Sequence, residues 1–270
     1  MRDPFDFTGR TVFVAGGSSG INLGIAEGFA ARGANVGILA RDPQRIEAAL
    51  ERLRGHGVDA LGASADVRSY EQVDSALRQA HDRFGPIDVL VSGAAGNFVA
   101  PALGMSSNGF KAVVDIDLLG TFNVLRAAHP FLRSPGASVI SISAGQSSRP
   151  YVFQAHVCAA KAGIDQLTRV LAMEWGPQGI RVNAVSPGPI EGTEGMRRLT
   201  PTPEAEERSK RGIPLGRWGT AQEIADACLF LSSPMAAYIT GVVLPVDGGS
   251  NLGGSPALGD PALAEMFGKV

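Results

Sequence analysis

Short apolar runs alternate along the chain with longer segments in which apolar positions recur at helical spacing. The short runs predict seven strands, at Thr11–Ala15, Asn35–Ala40, Asp59–Ser64, Asp88–Ser92, Ser138–Ser143, Arg181–Val185 and Val242–Val246. The longer segments predict helices at about Leu23–Arg32, Pro43–His56, Tyr70–Phe84, Phe110–Arg133, Ala155–Trp175 and Ala221–Leu231. This alternation is typical of βαβ units. We therefore predict an α/β fold with one doubly wound sheet of seven parallel strands and helices on both faces.

The chain has 270 residues, which is enough for one large domain with a well-buried core. No linker, repeat or low-complexity segment divides it, so we predict a single domain over residues 1–270. The formal net charge is −2 and no block of basic residues occurs, which argues against nucleic acid as the main partner. No apolar run approaches the length that crosses a membrane.

The two cysteines, Cys158 and Cys228, lie far apart and show no metal-ligand spacing. We interpret them as buried, reduced side chains and predict no metal site. The first residues, Met1 to Asp6, lack the apolar core of a signal peptide. The last three, Gly268-Lys269-Val270, differ from the Ser-Lys-Leu type of peroxisomal address. We therefore expect a cytoplasmic protein.

A glycine-rich stretch, Val14–Gly24, follows the first predicted strand and opens the first helix. Glycines at such a turn let the backbone approach a pyrophosphate, and the helix N-terminus supplies N–H donors and a positive dipole end. The strand-turn-helix context favours dinucleotide binding in a Rossmann-like fold over a turn that is merely tight. The residues assigned to the cofactor here are Gly16, Ser18, Ser19, Gly20 and Ile21.

The second predicted strand ends at Ala40-Arg41, where an acidic residue would bind the adenosine ribose hydroxyls and select NAD. Arg41 and Arg45 can instead hold a ribose 2′-phosphate, so we favour NADPH as the cofactor. The alternative is that both arginines are solvated charges at a helix start. Asp42 either caps that helix or binds ribose, and the second role would weaken the NADPH prediction.

Asp66 and Val67 follow the third predicted strand. An aspartate in this place either accepts a hydrogen bond from the adenine amino group or caps the next helix.

Farther along, the segment Glu191–Gly212 is rich in Gly, Pro and Arg and follows the carboxyl end of the sixth predicted strand. That position predicts a lid over a ligand.

Five motifs together resemble the classical short-chain dehydrogenases/reductases, and the resemblance covers nearly the whole chain. They are the Gly16–Gly24 loop, Ser92–Gly96, Lys161, Pro187–Ile190 and Asp247–Gly249. Four segments are similar more narrowly to the 2,4-dienoyl-CoA reductases, the peroxisomal type more than the mitochondrial one: Ala94–Phe98, Asp115–Val124, Gln154–His156 and Pro187–Leu199. The resemblance implies a homotetramer that binds NADPH, with helices Phe110–Arg133 and Ala155–Trp175 paired across subunits. It adds cofactor contacts from Ala94, Lys161, Pro187, Gly188, Ile190 and Thr193.

The departures from that family pattern carry the most information. Classical members use an Asn–Ser–Tyr–Lys tetrad, and only Lys161 matches it here. Asp117 stands at the asparagine position, Ala144 at the serine position and Val157 at the tyrosine position. The mitochondrial type places a substitute tyrosine fifteen residues before the lysine, where this chain has Gln146. Valine cannot give or take a proton, so tyrosine-type protonation of an oxyanion is excluded.

A dienoyl thioester suits a site without that tyrosine. Hydride adds at the far end of the conjugated system, negative charge collects on the thioester oxygen, and the final proton goes to the α-carbon from a positioned water. The resemblance implies that Asp117 and Lys161 hold this water, that Lys161 also grips the nicotinamide ribose, and that Asn97 donates to the thioester oxygen. We therefore predict NADPH-dependent reduction of a 2,4-dienoyl-CoA or a related thioester, with Asp117, Lys161 and Asn97 as the catalytic residues.

The substrate residues are predicted to be Asn97, Phe98 and Arg198. Arg198, with Arg197 beside it on the lid, can meet the phosphates of CoA, and the alternative is a solvated lid face. One glycine of the nucleotide loop is changed to Asn22, which can constrain the loop without preventing cofactor binding.

Several assignments have alternatives. Asp117 can be a structural carboxylate paired with a lysine, and Asn97 can cap a loop. His156 and Tyr151 are the nearest other proton donors, so a second possibility is a ketoreductase of another metabolite with His156 as a nonstandard donor. A third possibility is a protein that binds NADPH without catalysis, since a fold does not fix a function.

Overall fold

Seven parallel strands form the centre of the fold in the computed structural model, which describes residues 3–253. The strands are β1 (Thr11–Ala15), β2 (Asn35–Ala40), β3 (Ala60–Ser64), β4 (Val89–Ser92), β5 (Ser138–Ile142), β6 (Arg181–Pro187) and β7 (Val243–Val246). They lie in the order β3-β2-β1-β4-β5-β6-β7, and each neighbouring pair is parallel. The predicted Rossmann-like, doubly wound α/β fold is confirmed.

Nine α-helices occur within residues 3–253. They are α1 (Gly20–Ala30), α2 (Pro43–Arg54), α3 (Tyr70–Phe84), α4 (Ser107–Val114), α5 (Gly120–Ala128), α6 (Ala155–Trp175), α7 (Glu194–Leu199), α8 (Pro203–Arg211) and α9 (Ala221–Ser232). None of these helices is both long and apolar enough to cross a bilayer, including the 21-residue α6.

The core consists of two apolar layers, one on each face of the sheet. Helices α1, α2 and α9 bury their apolar sides against one face. Helices α3, α5 and α6 do the same on the other. All five residues of β1 are buried, because a strand covered on both faces has no side that faces solvent.

Cys228 is buried in the layer formed by α1, α2 and α9, whereas Cys158 is half-buried, so the expectation of two buried cysteines was wrong for Cys158.

The helix predicted at Phe110–Arg133 was wrong as a single regular element. Helix α4 ends at Val114, a π-helical turn follows at Asp115–Leu119, and α5 runs to Ala128. A single tight turn, His129–Phe131, then ends the segment, since Pro130 has no N–H to continue the helix. A π turn holds one residue more than an α turn of the same height, and the apolar spacing of the sequence does not reveal it.

Smaller differences concern the ends of elements. Helix α1 begins at Gly20 rather than Leu23, β6 continues to Pro187, and α4 begins three residues before the predicted Phe110. Most other predicted ends match or shift by one or two residues. The predicted lid, Glu191–Gly212, contains the two helices α7 and α8.

The sheet order places a crevice where β1 and β4 lie side by side. From β1 the chain passes outward to β2 and β3, and it then returns to β4 on the other side of β1. Loops that leave these two strands therefore diverge, and ligands of open α/β sheets bind at this point, beyond the carboxyl ends of the strands.

The contact between α1 and α9 yields a test of the packing. A Cβ atom on Gly28 would lie 2.8 Å from Cβ of Ala225, closer than two carbons can approach. We expect Gly28→Ala to lower the free energy of unfolding by about 1–3 kcal/mol, despite the better helix propensity of alanine. Urea unfolding of the purified protein measures this change.

The matched control moves the methyl group from one helix to the other. Gly28→Ala combined with Ala225→Gly should be more stable than the sum of the two single changes, because the second change removes the methyl group that the first clashes with, and the first fills the space that the second leaves. Additive effects, or a Gly28→Ala protein as stable as the parent, would contradict the packing.

Candidate active site

One cavity of about 1210 Å³ opens at the carboxyl ends of the strands. Its wall brings together all of the predicted cofactor residues, Gly16, Ser18, Ser19, Gly20, Ile21, Arg41, Arg45, Asp66, Val67, Ala94, Lys161, Pro187, Gly188, Ile190 and Thr193. Asn97, Asp117 and Arg198 line the same cavity. Phe98 is not part of the wall. The cavity is thus large enough for a dinucleotide and a second ligand side by side.

The N-terminus of α1 has free backbone donors that face this cavity. Ser19 stands at the cap position but its side chain accepts no hydrogen bond from the helix, and the first turn contains no acidic residue. Gly16 and Gly20 have φ angles of 84° and 57°, in the left-handed region that favours glycine. A Cβ on Gly20 would meet no atom within 4 Å, so the backbone is open on that side. Free N–H groups and the helix dipole make this turn suited to a phosphate.

The tip of β2 is basic. Asp42 caps α2 by accepting from the backbone N–H of Gln44 at 2.9 Å and of Arg45 at 3.3 Å. Its other oxygen lies 3.5 Å from Nε of Arg45. The Asp42 carboxylate is therefore occupied in capping α2 and pairing with Arg45. Of the two arginines, Arg41 is the one that makes no ion pair within residues 3–253. An available guanidinium at this position suits a 2′-phosphate.

Asp66 does not cap the next helix, so that alternative was wrong. The cap of α3 is Ser69, whose Oγ accepts from the backbone N–H of Gln72. Asp66 forms an ion pair with Arg68 at 2.6 Å, and this guanidinium, more than the distant Arg41, lowers the pKa of the carboxyl. Asp66 therefore faces the cavity as a carboxylate, which can accept from an amino group.

Helix α6 carries Lys161 into the floor of the cavity. The ammonium is buried, and it donates to the backbone oxygen of Ile142, at the end of β5, at 3.0 Å. About one turn of helix farther on, Asp165 accepts a hydrogen bond from the buried Ser143 hydroxyl. Both contacts join α6 to the carboxyl end of β5, so the position of Lys161 is fixed by the sheet.

Asp117 lies on the π turn and is 1% exposed. Its Oδ1 accepts from the backbone N–H of Gly96 at 2.7 Å, and its Oδ2 lies 3.6 Å from Nζ of Lys161. Oδ2 makes no hydrogen bond with any part of the chain that the structure describes. Burial raises the pKa of this carboxyl, and Lys161 and the Gly96 N–H oppose that rise. A buried carboxyl with a raised pKa beside a buried ammonium is typical of a functional site.

The position that a tyrosine would occupy is apolar. Val157 lines the cavity and is 3% exposed, and Ala144 lies beside it in the wall. Gln146 donates to the side chain of Gln154 at 3.0 Å, so its amide belongs to the wall and carries no acidic proton. Tyr151 also lines the cavity, half-exposed, as expected for a residue of the substrate wall.

His156 is fully buried but is not in the cavity wall. Its ring packs on Phe98 with the centroids 4.3 Å apart. Neither ring nitrogen meets hydrogen-bond geometry with residues 3–253, although the Phe98 backbone lies nearby. Burial lowers the pKa of the imidazole, which favours its neutral form.

The lid residues close one side of the cavity. The Thr193 hydroxyl donates to the Ile190 backbone at 2.8 Å and caps α7 by accepting from the N–H of Met196 at 3.3 Å. Arg197 and Arg198 both pair with Glu194, at 2.6 and 3.0 Å. Each guanidinium is about two-thirds exposed, so it can exchange this partner for a phosphate.

Several residues of the wall escaped sequence reasoning. Met196 and Leu199 give the lid an apolar inner surface, and Ser250 and Asn251 border the cavity just after β7. The sequence feature that could have predicted Ser250 and Asn251 was Asp247. Its carboxylate accepts from the N–H groups of Gly249 and Asn251 at 2.9 Å and so turns the chain toward the cavity.

Comparisons with known proteins agree with this geometry. A family model described as Enoyl-(Acyl carrier protein) reductase matches residues 15–251. The peroxisomal 2,4-dienoyl-CoA reductase ((3E)-enoyl-CoA-producing) of Rattus norvegicus is 48% identical over 244 residues, 89% of this chain and 83% of the rat protein. The probable 2,4-dienoyl-CoA reductase ((2E)-enoyl-CoA-producing) of Bacillus subtilis is 37% identical over 250 residues, 92% of this chain and 98% of the other.

Solved structures show the same fold. A short chain dehydrogenase from Bacillus anthracis superposes with a TM-score of 0.84 at 36% identity, covering 93% of this chain and 100% of the other. A dehydrogenase/reductase from Sinorhizobium meliloti gives 0.86 at 30% identity, with 92% and 97% covered.

The buried Asp117–Lys161 pair predicts a stability that depends on pH. Lys161→Met removes the charge that opposes the raised pKa of Asp117, so the folded protein then holds the Asp117 proton to still higher pH than the unfolded chain does. The folded state binds more protons in that range, and its stability falls as pH rises from the ordinary aspartate pKa toward the raised one. We expect a loss of about 3–5 kcal/mol at neutral pH and a smaller loss in acid, by urea unfolding.

Adding Asp117→Asn to Lys161→Met supplies the control. The double variant has no carboxyl to titrate at this site, so the extra loss at neutral pH should vanish. A loss that is the same at both pH values in the single variant would show that the ammonium does not stabilise the Asp117 charge.

Proposed function

The chain belongs to the short-chain dehydrogenase/reductase superfamily and, within it, to the peroxisomal-type 2,4-dienoyl-CoA reductase family, and from this membership we propose that it reduces 2,4-dienoyl-CoA thioesters with NADPH. It is an oxidoreductase of a family that uses nicotinamide cofactors. The observation that carries the proposal is the buried Asp117–Lys161 pair in a cavity where an apolar side chain, Val157, takes the place of the family's tyrosine.

The residues present fit a nicotinamide dinucleotide. The uncapped start of α1 would bind the pyrophosphate, and Asp66 would accept from the adenine amino group. Arg41, which no carboxylate of residues 3–253 neutralises by an ion pair, would bind the 2′-phosphate of NADPH. Lys161 would reach the nicotinamide ribose hydroxyls while it donates to Ile142. When bound, the cofactor supplies the hydride.

The remaining steps belong to the chain's own residues. Asn97 is exposed at the cavity wall, where its amide can donate to the thioester oxygen on which negative charge collects. Asp117 Oδ2 and the remaining proton of the Lys161 ammonium hold a water beside the α-carbon, and that water gives its proton to carbon. The hydroxide left behind takes a proton from the ammonium or from Asp117, whose pKa is raised by burial.

Protonation at the α-carbon decides which product forms. Hydride at the δ-carbon and a proton at the α-carbon leave the double bond between the β- and γ-carbons, which is a 3-enoyl thioester. This is the product in the name of the rat relative, whereas the name of the Bacillus subtilis relative gives a 2-enoyl product. We propose the (3E)-enoyl product for this chain, because the proton donor is a water held by Asp117 and Lys161.

The alternative of a ketoreductase that uses His156 has less support. The imidazole lies outside the cavity wall behind Phe98. Burial lowers its pKa and so favours the neutral ring, which has no imidazolium proton to give to an oxyanion. Lid arginines Arg197 and Arg198 stand at the open side of the cavity, where they can meet the phosphates of CoA.

The predicted homotetramer has a surface that can support it. Phe110, Leu119 and Phe122 are exposed on one of the two helical segments assigned to subunit pairing, and Val170 and Met173 on the other. Exposed apolar side chains on adjacent helices are typical of an interface.

Eukaryotic relatives are named as peroxisomal, so the cytoplasmic location stays a prediction.

The catalytic assignment is tested by three substitutions. Asp117→Ala and Lys161→Ala should lower kcat for 2,4-dienoyl-CoA reduction by at least about 100-fold, because each removes a ligand of the proton-donating water. Val157→Ala should change kcat little. The measurement is loss of NADPH absorbance with a 2,4-dienoyl-CoA, with melting curves to confirm that each variant is folded and chromatography to identify the (3E) product.

Full activity in Asp117→Ala would overturn the mechanism. Loss of activity in His156→Ala but not in Asp117→Ala would support the ketoreductase. NADPH binding without turnover of any dienoyl, enoyl or keto substrate would support a protein that binds the cofactor without catalysis.

Cofactor choice is tested at Arg41. Arg41→Ala should lower kcat/KM for NADPH by about 10- to 100-fold, the loss of one charge-assisted contact of roughly 1.5–3 kcal/mol, and should leave the value for NADH nearly unchanged. Arg52→Ala is the control, because Arg52 pairs with Glu27 outside the cavity wall. An equal loss of kcat/KM with NADPH and with NADH would show that Arg41 does not bind the 2′-phosphate.

A further inference from the structure

Asn22 occupies a place in the nucleotide loop that links two halves of the active site. It is the third residue of α1, in the turn whose free N–H groups face the cavity, and it lines the cavity itself. Its Nδ2 donates to the backbone oxygen of Gly93 at 2.7 Å. Gly93 follows β4, so this one amide joins the loop after β1 to the loop after β4.

The amide fills the space between the two loops. A Cβ on Gly93 would lie 2.1 Å from Oδ1 of Asn22, and a Cβ on Gly16 would lie 2.9 Å from its Nδ2. A side chain at Gly93 would overlap the Asn22 amide, whereas one at Gly16 would also meet the Ala94 backbone N at 2.9 Å. The Asn22 side chain therefore acts as a spacer, which sets how closely the phosphate-binding loop approaches the loop after β4.

The loop after β4 leads directly to the catalytic carboxylate. Three residues beyond Gly93, the backbone N–H of Gly96 donates to Oδ1 of Asp117 at 2.7 Å, and Asp117 faces Lys161. A short run of covalent and hydrogen bonds thus connects the first turn of α1 with Asp117. A shift of the Gly93–Gly96 backbone would move the donor that holds this carboxylate.

One acceptor of the amide is unused. Oδ1 of Asn22 is buried and has no hydrogen-bond partner within residues 3–253. A buried acceptor in a cavity wall is ordinarily satisfied by a ligand or by water. This oxygen is shielded by its neighbours, so the amide acts through its packing and its Nδ2 donor.

From these contacts we propose that Asn22 is a positioning residue. Its amide joins the glycine-rich loop after β1, which would bind the nicotinamide cofactor, to the Gly93–Gly96 loop. It thereby fixes the position of Asp117 for proton delivery. The proposal rests on the nicotinamide cofactor and the role of Asp117 proposed above. It assigns to Asn22 two measurable effects, one on cofactor affinity and one on turnover when the cofactor is saturating.

The test uses Asn22→Ala and Asn22→Asp in the full-length protein. Alanine removes the amide and is a better helix former than asparagine, so a loss of function cannot come from a weaker helix. Aspartate keeps the shape but places a carboxylate against the Gly93 oxygen. We expect the NADPH Kd, from fluorescence of the bound cofactor, to rise about 10-fold in Asn22→Ala and more in Asn22→Asp, with kcat at saturating NADPH lowered about 10-fold.

Asn35→Ala is the matched control. Asn35 also makes a hydrogen bond with the backbone, from Asp59 N–H at 3.2 Å, but it begins β2 at the opposite end of the sheet. Its Kd and kcat should equal those of the parent. A purely structural role of Asn22 would lower the melting temperature and the fraction of active sites while leaving Kd and the kcat of the active sites unchanged.

Two results would overturn the proposal. One is an Asn22→Ala protein with parental Kd and kcat. The other is a raised Kd with an unchanged kcat at saturating NADPH, which would refute the link to Asp117. A parent protein that binds NADPH but reduces no dienoyl-CoA would refute the proposed function instead, and the Kd comparison would still decide whether Asn22 serves the cofactor.

Discussion

A buried carboxylate held against a buried ammonium is the interaction on which the rest of this site depends. Asp117 has lost nearly all contact with water, and its charge is tolerated only because the Gly96 N–H and Lys161 face it. These three groups come from a helix, from the loop after β4 and from α6. The sheet must hold all three segments in register for the pair to exist, so the stability of the fold and the chemistry of the cavity share one requirement.

The apolar wall beside this pair has a chemical role of its own. Val157 keeps solvent from the place where a tyrosine would stand, and in such surroundings the effects of Lys161 and of nearby backbone dipoles are stronger than in water. The same burial that makes Asp117 costly to ionise raises its pKa above that of an ordinary aspartate. In the proposed mechanism, the valine at the tyrosine position fits a site whose proton comes from a water held by the buried pair.

The sequence predicts the sheet and the cofactor side of the cavity well, since strand ends and the glycine loop are local features that parallel packing brings to one edge. Prediction was weaker where the sequence leaves a choice or where tertiary contacts decide. Ser69, directly before the helix, caps α3, so the cap alternative for Asp66 was wrong. Phe98 packs on His156, a partner far along the chain, and its role toward substrate stays a prediction. The inner side of the lid, with Met196 and Leu199, depends on how α7 folds back over the crevice.

The direction of the Asp117 carboxylate depends on the number of residues in the π turn at Asp115–Leu119. Successive residues of an α-helix are rotated by about 100° around its axis, so one residue more or less redirects every side chain that follows. The extra residue in this turn lets α4 and α5 keep their own buried sides while Asp117 faces Lys161. Removing a single residue from the turn would restore a regular helix and leave the composition nearly intact, yet it would break the alignment of the two helices. The length of this segment is thus under tighter constraint than most of its side chains.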